Sequence, residues 1–265
     1  MTLAVNILLF QAGWFACVLG AADGAPWVGP FGAATVFGAK APPLSLIRLN
    51  LAIQKSRVGQ CLAAFGRKLK SSAPSVSWGG MQMFLDNQVA PDSPRKESVY
   101  RNFQRNLEDI VRAGLNADAK IILCTVAVNL RDCPPLASMV NSKLPAADRA
   151  ACDRLLAEAT RAAKLGDFAT AAAAYADAAK LDSRRADLQF LWGECLLRLT
   201  NNSAAREHFQ LACDADALPF RADSRINDLI RQTALRHAEQ GLVLLDAETV
   251  LAAHSPVGIC GDEMF

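Results

Sequence analysis

Apolar positions along the chain follow three different rhythms. Residues 2–22 (TLAVNILLFQAGWFACVLGAA) carry no charge, and Asn6 and Gln11 are their only strongly polar interruptions. About 20 such residues cross a bilayer, so this stretch predicts a hydrophobic, membrane-inserted helix within 1–28; a buried core helix satisfies the same pattern. Val99, Phe103, Leu107, Ile110 and Val111 follow helical spacing, with Gly114 placed to end the helix. The run IILCTVAV (121–128) is continuously apolar and rich in β-branched residues, which predicts a buried, parallel-type strand. A helix, a short loop and a buried strand make an α/β unit, and its polar loop at 129–135 (NLRDCPP) lies where such units hold ligands. Ile226, Leu229, Ile230 and Leu235 predict a second amphipathic helix capped by Asp223 or Ser224. LVLL (242–245) predicts a second buried strand, followed by a loop rich in Pro, Gly and acid. A weaker strand signal lies near Val76–Trp78.

Between these α/β segments the rhythm changes to a 34-residue repeat. Ala171, Tyr175 and Ala178 recur as Ala205, Phe209 and Ala212, and Asp182 recurs as Asp216. Small, large and small residues at these offsets let two antiparallel helices approach at alanine and wedge one aromatic ring between them. Gly193 takes the small position that Ala159 holds in the first copy. Helices are predicted near 149–165, 169–181, 185–199 and 202–214. The pattern resembles the tetratricopeptide repeat, with Leu155 and Gln189 where that repeat carries an early aromatic. Two copies are fewer than the roughly three a free-standing stack needs, so the pair is expected to lean on the α/β segments.

Charge and composition narrow the functional classes. The 265 residues carry 28 Lys+Arg against 26 Asp+Glu, and only 2 Tyr and 4 Trp. Neither an electrostatic footprint nor a stacking platform for nucleic acid is indicated. Between Asp23 and Asp86 every charge is positive (Lys40, Arg48, Lys55, Arg57, Arg67, Lys68, Lys70), which by the positive-inside tendency places the chain after 2–22 on the cytoplasmic side. No pair of the eight cysteines is spaced CxxC and the three histidines stand apart from them, so no zinc or other metal site is expected. Cys124, Cys195 and Cys213 sit in apolar periodic segments and are expected as reduced, buried thiols. No glycine-rich phosphate loop occurs, and no cofactor is expected.

Five stretches, FGAATVFGAKAPPLSLIRLNLAI (31–53), VYRNFQRNLEDIVRAG (99–114), IILCTVAVNLRDCPPLAS (121–138), LPFRADSRINDLIRQTA (218–234) and LLDAETVLAAHSPVGICGDEMF (244–265), together resemble the carboxyl-terminal half of a bacterial SGNH/GDSL-type hydrolase-like family that carries tetratricopeptide repeats. The resemblance covers about 29–265. It implies an α/β fold, an incomplete SGNH-like parallel sheet, with an inserted all-α tetratricopeptide-type helical hairpin pair, predominantly helical overall. The implied organisation is 29–144 and 220–265 for the two parts of the α/β domain, with the repeats at 145–219. The resemblance also implies ester hydrolysis by Ser, His and Asp with an oxyanion-stabilising Asn. This chain has no GDS block. It reads AADGAPWVGP where a Gly-Asn-Asn block is expected, and ends at Phe265, where an Asp-x-x-His block is expected to follow. Residues 1–28 (LLFQAGWFACVLGAA within them) resemble instead the first helix of an unrelated, uncharacterised family of bacterial inner-membrane proteins. The expectation is therefore a joined, truncated or misassembled frame, membrane-associated and catalytically inactive, with no catalytic residue to name.

Two candidate sites remain. Asn129 and Arg131 after the first strand, with Arg221, Asp223 and Arg225 before the second amphipathic helix, are placed to hold an anionic substrate; helix capping and surface ion pairs explain the same residues. His254-Ser255, the adjacent His/Ser pair, is poorly arranged for catalysis. The second site is the repeat itself, packed through Ala171, Tyr175, Ala178, Gly193, Ala205, Phe209 and Ala212, whose helix-pair groove suits a protein or peptide partner.

Overall fold

The computed structural model describes residues 88–265 together with Leu3–Ala4, Ile53, Ser56, Arg57, Gln60 and Cys61. Met1–Phe10 and Gln88–Phe265 form one compact unit, and Gln11–Asn87 a second. In the second, backbone and side chain of Ser56 bond to the Ile53 carbonyl, as in a helical turn. The expected strand near 76–78 and the stretch 5–22 lie outside the described residues.

The first unit is predominantly helical with a small parallel sheet. Strand β2 (Ile121–Cys124) pairs with β3 (Leu242–Leu245) over four residues, and Leu3–Ala4, strand β1, pairs with the other side of β2. Helix α1 (Pro94–Asn116) and helix α6 (Ser224–Arg236) cover one face. Leu107 and Val111 of α1, Ile230 and Ala234 of α6, and Ile121, Leu123 and Leu242 of the sheet form one core.

Four elements differ from the sequence expectation for physical reasons. Helix α1 runs past Gly114 to Asn116, and Asp118 takes the positive φ of 51° beyond it. Gly114 serves close approach instead: a Cβ there would stand 2.9 Å from Ile121 Cδ1. The apolar run 121–128 forms a strand only to Cys124. One further ladder bond, Thr125 N–H to Leu245 O, follows it. Asn227 then replaces a strand partner: its Oδ1 accepts the Val126 N–H at 2.8 Å and its Nδ2 donates to the Val126 carbonyl at 2.9 Å. β3 is not the buried strand its composition predicts. Among the described strands it lies at the sheet edge, with Val243, Leu244 and Leu245 58%, 38% and 47% exposed. The segment after it is helix α7 (Ala247–His254), started by Asp246, whose side chain accepts from the Thr249 N–H.

Four helices make the two hairpins: α2 (Ala146–Lys164) with α3 (Phe168–Leu181), and α4 (Ala186–Arg198) with α5 (Asn202–Asp214). Asp167 and Asn201, 34 positions apart, cap α3 and α5 by accepting from the N–H three residues on. Ala159, Ala171, Tyr175 and Ala178 are fully buried in the first hairpin, and Ala205, Phe209 and Ala212 in the second. At Gly193 a Cβ would stand 2.9 Å from the Phe209 ring and 3.2 Å from the Ala205 carbonyl, so this crossing admits only glycine without movement. The second hairpin shares its core with the loops of the α/β part: Leu130 and Ile259 pack with Phe190, Phe209 and Ala212.

Candidate interaction surface on the helical hairpins

The connection from β2 to α2 passes over the hairpins with no regular structure of its own, and three carboxylates hold it. Asp216, 1% exposed, accepts from Leu136 N–H at 2.9 Å, Ala137 N–H at 3.1 Å and Leu218 N–H at 2.9 Å. Asp182, its counterpart one repeat earlier and 3% exposed, accepts from Asn141 N–H at 2.9 Å and Arg184 N–H at 3.3 Å. Each repeat thus ends in an aspartate that binds the amide two residues on and also backbone of a distant segment. Between them, Asp187 at the start of α4 accepts from Ser138 Oγ at 2.6 Å and is braced by Arg185. Burial pushes the Asp187 carboxyl up, but the Arg185 and Ser138 bonds outweigh it and hold it below the usual carboxylate range. The hairpins therefore grip residues 136–141 largely through backbone, a mode that tolerates many side chains.

Both repeats hold this internal segment, and among the described residues none of 136–141 lines the outer face of α2. Along α2, Asp153, Leu156, Ala157, Thr160, Arg161 and Lys164 line a shallow surface concavity. Asp153, Ala157, Arg161 and Lys164 are exposed, while Leu156 and Thr160 are half-buried. Thr160 Oγ1 bonds to the Leu156 carbonyl and lies 3.2 Å from Tyr175 Oη, which ties the face to the hairpin core. On α4, Glu194 is pushed up by burial, with Arg198 opposing.

The anion-site candidates divide into two groups. Asn129, Arg131 and Arg221 meet at the loop after β2. Asn129 Nδ2 donates to Asp262 Oδ1 at 2.6 Å and its Oδ1 accepts from Asp132 N–H. Arg131 is clasped by Asp132 and Glu263, and the Asp132 carboxylate accepts from the Asp262 N–H at 2.8 Å. Arg221 Nη1 donates to the carbonyls of Asn129 and Cys133. Leu130 and Arg131 N–H both donate to the Cys260 carbonyl, so residues 259–264 lie across this loop. Asp223 and Arg225 turn to α1 instead. Asp223 caps α6 and accepts from Tyr100 Oη, and Arg225 pairs with Glu97 and lies 4.4 Å over the Tyr100 ring. Burial raises the Asp223 carboxyl and lowers the amine of Lys96, whose Nζ donates to the Asp214 carbonyl. These five residues are engaged in holding helices and loops together.

Each histidine is likewise engaged, and its partners among the described residues are not serine hydroxyls. His208 Nδ1 bonds Gln189 and its ring stacks on Trp192 at 3.8 Å; His237 bonds Glu108; His254 Nδ1 bonds the Val250 carbonyl while Ser255 Oγ donates to Leu251 O. Among the described residues no group of three or more His, Cys, Asp or Glu side chains is placed to hold a metal ion. Among them, too, no helix is long and apolar enough to cross a membrane.

Sequence reasoning registered the recurrence of Asp182 as Asp216 but not the work of these side chains. It missed Asn227 and the open stripe on α2, for which the spacing 150, 153, 157, 160, 164 was the available signal. Compared with known proteins, residues 3–58 match a family described as a protein of unknown function, DUF2878. No curated protein and no solved structure matches the chain.

Proposed function

We propose that this chain works as a protein-binding module: the hairpin pair at 145–219 engages a protein partner through the open face of α2. In this reading the α/β part, 29–144 and 220–265, is an incomplete SGNH-like scaffold that buttresses the short repeat and performs no ester hydrolysis. The observation that carries the reading is the grip on residues 136–141. The hairpins already hold an extended segment by its backbone amides, the second repeat through Asp216 and the first through Asp182, while the concavity on α2 is lined by none of the residues 136–141. Parallel pairing of β2 and β3 under α1 and α6 supports the scaffold assignment. The engagement of Asn129, Arg131 and Arg221 with the chain's own carboxylates and carbonyls supports a structural role for the loop after β2.

The test is selection of displayed random-sequence peptides on the purified full chain, counter-selected with Ala157→Arg. Ala157 is exposed, so the substitution leaves the hairpin fold intact, which circular dichroism checks. Peptides that bind the native chain and lose at least about tenfold on Ala157→Arg are expected, since a hot-spot contact is worth at least about 1.4 kcal/mol. Absence of any such peptide, or turnover of a p-nitrophenyl ester abolished by a serine-directed reagent, contradicts the proposal.

A further inference from the structure

Three helix ends meet where the hairpin pair joins the α/β part, and buried charges bind them. Lys96, in the first turn of α1 and 3% exposed, donates from Nζ to the carbonyl of Asp214, the last residue of α5. Asp223, 5% exposed, precedes α6, accepts from the Ile226 N–H at 3.0 Å and meets the Tyr100 hydroxyl of α1 through Oδ2. Ser224 closes the triangle: its N–H and its hydroxyl both donate to the Asp214 carboxylate, at 2.8 and 2.6 Å.

Charge at this junction does not balance. Among the described residues, Lys96 and Arg221 stand against Asp214, Asp216 and Asp223, with the neutral Cys213 thiol between them. At the exposed rim Glu97 pairs with Arg225, and Arg101 lies in water beyond them, where its charge is screened. Three carboxylates against two cations leave one surplus negative charge, and a buried surplus is relieved most readily by binding a proton. Asp216 accepts from three backbone N–H groups, none of which can accept in return. Asp214 is only half-buried and accepts from Gln210 as well as Ser224. Asp223 is buried, and its Oδ2 faces a hydroxyl, which donates to a carboxylate and accepts from a carboxylic acid. That contact survives protonation with its donor reversed. We infer that Asp223, Tyr100 and Lys96 form a proton latch: the folded chain takes up one proton at Asp223, and its loss loosens the seat of the hairpin pair on α1. Burial raises the Asp223 carboxyl, with Tyr100, the Ile226 N–H and Lys96 opposing. Burial, with the Asp223 charge, also raises the Tyr100 hydroxyl, which stays protonated. A raised folded-state value means that Asp223 weighs against the folded state increasingly as pH rises from about 4 through that value. Opening the junction to water relieves the ionised carboxylate.

Carbon-13 NMR of the full chain labelled at the aspartate carboxyls, titrated between about pH 3 and about pH 8, tests the inference. One aspartate resonance should titrate above the ordinary value of about 3.9 and be missing from Asp223→Asn. Its midpoint should move further up in Lys96→Met and in Tyr100→Phe, each of which removes a group that favours the charged form. These two variants carry the test if Asp223→Asn does not fold. Amide hydrogen exchange at 96–100 and 213–226, corrected for its intrinsic pH dependence, should quicken in the native chain as pH rises through the same midpoint, and should not in Asp223→Asn. Aspartates that all titrate at or below about 4 overturn the latch. So does a raised resonance that Asp214→Asn removes and Asp223→Asn leaves in place. A raised Asp223 midpoint with junction exchange indifferent to it overturns the loosening, and with it the latch.

Discussion

Replacing Asp216 by alanine removes the acceptor for three backbone N–H groups at once, those of Leu136, Ala137 and Leu218. A hydrogen bond to a charged group contributes about 1.5–3 kcal/mol net, and an orphaned buried donor costs about 1–3 kcal/mol. Leu136 is 41% exposed, so water takes over part of its loss, whereas Leu218 is 1% exposed and cannot be rehydrated without opening the loop. The expected destabilisation is about 3–5 kcal/mol, a large share of an ordinary domain's stability. Asp182→Ala removes one comparable bond, to Asn141, and a longer one at 3.3 Å, to Arg184. It should cost about 1.5–2.5 kcal/mol. With a urea slope of about 2 kcal/mol/M, the midpoints should fall by about 2 M and about 1 M respectively. Asp216→Asn keeps the oxygen shared by Ala137 and Leu218 but turns an N–H₂ toward Leu136, so it should fall between native and alanine. Urea unfolding followed by circular dichroism, with slopes compared across variants, measures all three. A loss below about 1 kcal/mol for Asp216→Ala, or one no larger than for Asp182→Ala, refutes the idea that these carboxylates grip the segment.

Other outcomes follow from the same structure. Gly193→Val should lose about 1–3 kcal/mol in the same unfolding assay through overpacking against Phe209, and pairing it with Phe209→Leu should recover part of that loss. Arg231 holds Asp246 far below the ordinary carboxylate range, with Thr125 and Thr249 adding to the effect. A depressed folded-state value means that this stabilisation is present above about pH 4 and lost as pH falls through the folded value. The acid limb of a stability-versus-pH curve should therefore flatten in Arg231→Gln. Burial pushes the Cys195 thiol up to about 11 and the Cys213 thiol up to about 12. Both should resist iodoacetamide in the native chain at pH 8 and react fully in urea, read by peptide mass spectrometry.

The hairpins were legible in the sequence because their constraint is local. Two helices cannot close around Tyr175 or Phe209 unless alanine or glycine stands at the crossing, and that requirement repeats every 34 residues. Strand burial was not legible: LVLL and IILC are equally apolar, yet their exposure differs because one lies at an edge. Helix α7 was hidden because Asp246 serves both as the end of a strand and as a cap, and the Pro and Gly beyond His254 drew the whole segment toward a loop. Asp182 and Asp216 stood out by recurrence, but their partners lie 41 and 80 residues away in backbone amides, which leave no mark in composition. Asn227 is the same case, a side chain that ends a strand 101 residues distant.

Hydrogen-exchange mass spectrometry of the full chain, free and saturated with a selected peptide, bears most directly on the claim that the hairpins are the working part of this protein. Slower exchange confined to residues 153–164, with 129–133 and 259–264 unchanged, is the result the account requires. Protection concentrated at 129–133 and 259–264, beside the carboxyl ends of the strands, would contradict it and return function to the α/β part.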